Sequence, residues 1–152
     1  MRKVPRILVI DDDEGIRKVL YAILRDKGYD VDTAMNGEEA IHKATSSFFN
    51  LALIDIRLPD MEGTDLLLRL EDITPRMVKI ILTGYPALEN AIAAVNRGAD
   101  GYLIKPVNMS TLVEKIEEHL QKQTENMKFG EEKVAQLIEA RAKQVGYTPR
   151  MR

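Results

Sequence analysis

Five short apolar runs alternate with helical patterns over the first 120 residues, and this alternation constrains the fold more than any other feature. The runs cover residues 7–10, 29–34, 51–54, 78–82 and 102–104. Between the first two, Ile16, Val19, Leu20, Ile23 and Leu24 recur at helical spacing, and Gly28 supplies a stop. Asn36-Gly37 reads as a turn before a short helix over residues 38–44. Leu66, Leu67 and Leu70 mark a helix that starts near Gly63. Leu88, Ala91, Ile92 and Val95 mark the next, which Gly98 ends. Asn108 can cap a last helix that buries Leu112, Val113, Ile116 and Leu120. Strands alternating with helices imply an α/β fold with a parallel sheet covered on both faces. Right-handed crossovers leave few topologies, and the well-filled first and third strands should be neighbours near the centre.

Each well-formed run ends in a polar residue. Asp11-Asp12-Asp13 follow the first, Asp55 the third, Thr83 the fourth and Lys105-Pro106 the fifth. In open sheets of this kind, sites lie outside the carboxyl ends of the strands. Neighbouring strands lie about 4.8 Å apart, so Asp11, Asp12 and Asp55 can share one crevice. Three carboxylates that close disfavour joint ionisation and would raise at least one pKa. A hard divalent cation relieves them, and an oxygen-only ligand set suits Mg²⁺, or Mn²⁺. Asp13 reads instead as the cap of the first helix. The Lys105 ammonium can counter a carboxylate or hold a phosphoryl oxygen, and Thr83 adds a hydroxyl. Acids, a cation, a lysine and a hydroxyl together suit phosphoryl transfer, with a carboxylate as nucleophile.

Composition excludes other chemistries. With no cysteine, disulfides, thiol catalysis and zinc–thiolate sites are out, and a cytoplasmic location fits. No apolar run approaches the ~18 residues of a membrane span. The basic start meets three aspartates after four apolar residues, unlike a signal peptide. Residues 1–120 carry 15 Lys and Arg against 20 Asp and Glu, and residues 121–152 carry 7 against 4. That basic excess is too modest to imply nucleic-acid binding through this chain alone.

The order and spacing of Asp11-Asp12, Asp55, Thr83 and Lys105-Pro106 resemble the receiver domain of two-component response regulators, over residues 5 to about 121. The string from Asp55 to Gly63 is similar to bacterial receivers of the nitrogen-regulator type. The resemblance implies a flavodoxin-like (βα)5 doubly wound sheet of order 2-1-3-4-5. It implies that Asp55 is the phosphoacceptor, and that Asp11 and Asp12 bind Mg²⁺ with Asp55 and the backbone carbonyl of Arg57. Lys105 would pair with the phosphoryl group, Thr83 and Tyr102 would be the switch residues, and the Lys105–Pro106 bond would be cis. Partners implied are a sensor histidine kinase or a phosphotransfer protein. Output would run through the surface of the fourth helix, fifth strand and fifth helix.

The expected organisation is a receiver at residues 1–121 and a C-terminal helical extension at 122–152. Residues 124–130 read as a break. Val134, Leu137, Ile138, Ala142 and Val145 then mark a helix that either folds back or pairs with a second copy. A homodimer could also form through the output surface. The chain reads as a signalling domain rather than an enzyme. One alternative is a catalytically silent receiver-like scaffold, but that predicts loss of a site residue. Another is a Mg²⁺-dependent phosphatase, which needs a second acid two residues after the nucleophile, where Arg57 stands. A flavin binder would not place Asp11-Asp12-Asp13-Glu14 at its phosphate loop. His42 and His119 read as surface residues away from the strand ends.

Overall fold

A computed structural model describes residues 4–84, 87–144 and 146 of the chain, with side chains of residues 88–90 outside the description. Five strands, β1 (Arg6–Ile10), β2 (Asp30–Ala34), β3 (Leu51–Ile54), β4 (Val78–Thr83) and β5 (Gly101–Ile104), form one parallel sheet of order β2-β1-β3-β4-β5. Helices α1 (Glu14–Asp26), α2 (Gly37–Ser46), α3 (Gly63–Ile73), α4 (Leu88–Asn96) and α5 (Met109–Gln144) follow the strands in turn. The sheet order and the α/β class agree with the sequence expectation. Gly28 (φ +96°) and Gly98 (φ +101°) stand just past α1 and α4 in the left-handed conformation that ends a helix cheaply.

The strands are apolar on both faces because both faces are covered. One face buries Leu8, Ile10, Ala52, Ile54 and Ile81 under residues of α2, α3 and α4. The other buries Ile7, Val9, Leu51, Leu53, Ile80 and Leu82 under α1 and α5. Leu112, Val113, Ile116 and Leu120 are buried, as their spacing requires. In α4 the pattern found the helix but not its inner face. Ala94 is fully buried while Ile92 and Val95 are 53% and 65% exposed. His119, read as a surface residue, is half-buried next to Gly101, because it precedes the core residue Leu120 on α5.

The chain divides into two compact units, residues 1–120 and 121–152. The break expected at residues 124–130 is absent: α5 is helical through these positions. One glycine costs a helix only about 1 kcal/mol relative to alanine. Lys128, Glu131 and Glu132 around Gly130 are good helix formers, and Gln121 donates to Glu125 one turn on at 3.1 Å. In the second unit, Met127, Val134, Leu137 and Ile138 are exposed, Ala142 is buried, and Val145 lies outside the described residues.

Lys79 is a charge that apolar patterning does not anticipate inside β4. Its side chain is 1% exposed, with Nζ 2.8 Å from Glu71 Oε2 and donating to the Met77 carbonyl at 2.7 Å. Glu71 is 45% exposed, so water screens one side of the pair. Removing the acid strands a buried ammonium, whereas removing the lysine lets Glu71 return to water. Glu71→Ala is therefore expected to lower stability by about 2 kcal/mol and Lys79→Met to change it by less than about 1 kcal/mol. Urea midpoints of the two variants check this, and equal losses would refute the asymmetry.

Candidate acidic site at the strand ends

Register brings the first acids together. Ile10 of β1 pairs with Ile54 of β3, so Asp11 and Asp55 leave the sheet side by side. The Asp55 N–H donates to the Ile10 carbonyl at 3.0 Å, which holds that register one residue past the strand. Asp12 is exposed, Asp11 is 4% exposed and Asp55 is 7% exposed. One carboxylate oxygen from each of the three lies within 4.8 Å of the others. Asp13 does not join them; its side chain accepts from the Ile16 N–H and caps α1, as its position suggests.

Lys105 reaches this cluster from β5, 94 residues away from Asp11 in sequence. Its Nζ donates to Asp11 Oδ2 at 2.6 Å and stands 3.7 Å from Asp55 Oδ2. The Lys105 N–H donates to the Thr83 carbonyl at 2.8 Å, and the Lys105–Pro106 bond is cis. Thr83 is fully buried at the end of β4. Tyr102 pairs with Ile81 and packs on the core beneath α4, the sheet face to which Thr83 also belongs. Its hydroxyl is buried without a hydrogen bond among the described residues, and burial raises its pKa. Arg57 forms an isolated antiparallel bridge with Glu62, and its backbone N–H donates to the Asp55 carboxylate.

Burial pushes the Asp55 carboxyl above its ordinary range, and the neighbouring Asp11 adds to this. Lys105 and the Arg57 N–H oppose the shift without cancelling it. Asp55 Oδ1 is buried with no hydrogen-bond partner among the described residues. An orphaned anionic oxygen beside two further carboxylates is the donor set a hard divalent cation takes, so these residues fit Mg²⁺.

Two residues beyond the sequence expectation hold the loops that carry the acids, Asp60 in the β3–α3 loop and Arg17 at the β1–α1 connection. Asp60 accepts from Gly37 N at 2.8 Å and Glu38 N at 2.9 Å, tying the β3–α3 loop to the start of α2. Burial opposes ionisation of Asp60, but these backbone donors prevail and lower its pKa, so the tie holds at neutral pH and is lost in acid. Arg17 donates from Nη1 to the Asp11 carbonyl at 2.8 Å. No local sequence pattern marks either residue for these partners.

Next to Lys105 lies an apolar hollow of about 580 Å³, lined by Ile16, Val19, Leu20, Leu82, Pro106 and Met109 among others. Among the described residues, no helix is long and apolar enough to cross a membrane.

Comparison with known proteins agrees with the geometry. Residues 7–117 match the response regulator receiver domain. The chain is 35% identical over 146 residues to the transcriptional regulatory protein ZraR of Klebsiella oxytoca, covering 96% of this chain and 32% of that protein. It thus spans about a third of that relative's length. Among solved structures, a CheY-like response regulator receiver domain protein from Methanospirillum hungatei JF-1 is 47% identical, with a TM-score of 0.81 over 82% of this chain and 99% of that one. The response regulator protein TrrA from Thermotoga maritima, solved in complex with Mg(2+)-BeF, is 34% identical, with a TM-score of 0.70 over 76% of this chain and 99% of that one. With its sheet order and its match across residues 7–117, the chain belongs to the response regulator receiver domain family.

Proposed function

We propose that the chain is a phosphorylation-controlled switch in which Asp55 accepts a phosphoryl group from a histidine kinase or phosphotransfer protein. The observation that carries this reading is the convergence of Asp55 with Asp11, Asp12 and Lys105 at the carboxyl ends of three strands. An Asp55 oxygen attacks phosphorus, the phosphorus–nitrogen bond of the donor breaks, and its electron pair leaves with the imidazole. Asp11, Asp12, Asp55 and the Arg57 carbonyl would hold Mg²⁺, and the Mg²⁺-bound state of TrrA supports such a site here. When bound, the ion neutralises charge on the transferring oxygens. Lys105 would pair with a phosphoryl oxygen as a point charge. Thr83 then donates to the phosphoryl group, and Tyr102 follows by changing its rotamer. A buried hydroxyl without a partner costs about 1–3 kcal/mol, which supports a Tyr102 ring poised to move. The shifted surface is that of α4, β5 and α5, a two-state equilibrium biased by a covalent group.

The apolar hollow beside Lys105 supports docking of the phosphodonor protein on α1. Residues 1–121 would form the receiver and 122–152 its helical extension. The chain's own chemistry would be limited to gaining and losing the phosphoryl group. Output could include a homodimer through the α4-β5-α5 surface or through the exposed apolar residues of the second unit.

Intact mass after incubation with acetyl phosphate and Mg²⁺, beside a metal-free control, tests the reading. The expected result is one phosphoryl adduct that forms only with Mg²⁺. A protein that binds Mg²⁺ yet forms no adduct, with acetyl phosphate or with a histidine phosphodonor, would instead be a silent scaffold. Light scattering of the same samples reads whether phosphorylation changes assembly.

A further inference from the structure

The peptide joining Asp11 to Asp12 lies past the end of the sheet. Asp11 makes the last hydrogen bond of β1 toward β2, its N–H donating to the Ala34 carbonyl at 3.1 Å. On the other side, β3 satisfies the Ile10 carbonyl through the Asp55 N–H. The Asp11 carbonyl comes next, and β2 has ended at Ala34. The donor that meets it is a side chain: Arg17 Nη1 at 2.8 Å, from the first turn of α1.

We propose that Arg17 is a positioning residue for the cation site, an inference that rests on the Mg²⁺-dependent reading above. A peptide unit is planar, so its carbonyl oxygen, both flanking Cα atoms and the next nitrogen move as one body. Holding the Asp11 oxygen therefore sets the Cα positions of Asp11 and Asp12 together. The two acids depend on this differently. The Asp11 side chain has anchors of its own, with Oδ1 accepting from the Asp13 N–H at 3.0 Å and Oδ2 from Lys105. The Asp12 side chain is exposed and makes no hydrogen bond among the described residues. With no side-chain anchor, the reach of its carboxylate is set from its Cα, and Arg17 holds the peptide unit that carries that Cα. Arginine suits the task because its guanidinium stays charged and presents its donors in a rigid fork.

Electrostatics and positioning make opposite predictions. Arg17 is a cation bonded to the backbone of one of the acids, so by charge alone its removal should tighten a divalent cation. If it positions Asp12, removal should loosen one, and losing an outer partner of a metal ligand typically weakens affinity by about 10- to 100-fold.

The experiment is calorimetric titration of Mg²⁺ into the wild-type chain, Arg17→Ala and Arg17→Lys, with thermal melts of each in chelator. Arg17→Ala is expected to bind Mg²⁺ at least about tenfold more weakly. Arg17→Lys, which keeps the charge and most of the stem, should fall between the two. It keeps the question open to measurement if the alanine variant fails to fold. Unchanged or tighter Mg²⁺ binding in a folded variant, even with a lower melting temperature, would reduce Arg17 to a structural hydrogen bond and overturn the inference. Wild-type protein that binds no Mg²⁺ would overturn the underlying reading instead, and this inference with it.

Discussion

Asp55→Asn is expected to lose all labelling by acetyl phosphate and, in chelator at neutral pH, to melt at a higher temperature than the wild-type chain. The first outcome follows from chemistry, since an amide is not a nucleophile toward phosphorus and no other carboxylate stands at the end of β3. The second follows from linkage. Burial, then the charge of Asp11, raises the Asp55 pKa in the folded state. The folded chain thus binds that proton more tightly than the unfolded chain does. Its contribution to stability is present below the unfolded pKa and is lost as pH rises through the folded one. At neutral pH without a cation, the ionised carboxylate is a net cost that asparagine removes. Added Mg²⁺ should narrow or reverse the difference, because only the carboxylate gains a ligand. Intact mass and thermal melts with and without Mg²⁺ check both. Residual labelling at wild-type level would remove Asp55 from the phosphoacceptor role. A lower melting temperature in chelator would mean that Lys105 outweighs burial.

Gly63→Ala is expected to destabilise the chain strongly, through geometry alone. A Cβ at Gly63 would overlap the Asp55 carbonyl oxygen and stand 2.8 Å from Ile56 Cα. Both are backbone atoms of the loop that carries the acceptor, so no side chain can give way. The Gly63 N–H also donates to the Ile56 carbonyl, which fixes the close approach. Relief requires moving the backbone at Asp55, at a cost of about 3 kcal/mol. The moved carboxylate should also label more slowly than in the wild-type chain. Gly37 is the control. The three atoms nearest a Cβ there all belong to the flexible Met61 side chain, so Gly37→Ala should cost distinctly less. Urea denaturation of the two variants orders the effects, and a Gly63→Ala loss below about 1 kcal/mol would refute the backbone argument.

Much of the architecture was open to reading because its causes are local. Residues 7–10 and 51–54 are apolar at every position, which suits strands buried on both faces and little else of that length. The polar residue that follows each run marks where the sheet stops. What misled was also local. Residues 124–130 look like an interruption, yet nothing in them outweighs the propagation of a helix already formed. Ile92 and Val95 have helical spacing, but spacing does not choose which side of α4 meets the sheet, and Ala94 took the inner position.

The sequence by itself determined the element types, their parallel arrangement and the chemistry available at the strand ends, because periodicity and strand-terminal residues are short-range properties. Only the tertiary structure decided which of those residues meet. Lys105 contacts Asp11 across 94 positions because β5 and β1 end on the same edge of one sheet. Lys79 lies buried in β4 because Glu71 of α3 and the Met77 carbonyl meet its ammonium. Arg17 and Asp60 bind backbone groups, and a backbone carbonyl or N–H looks the same at every residue. Their partners emerge only once the chain has folded and left those groups beyond the reach of sheet and helix.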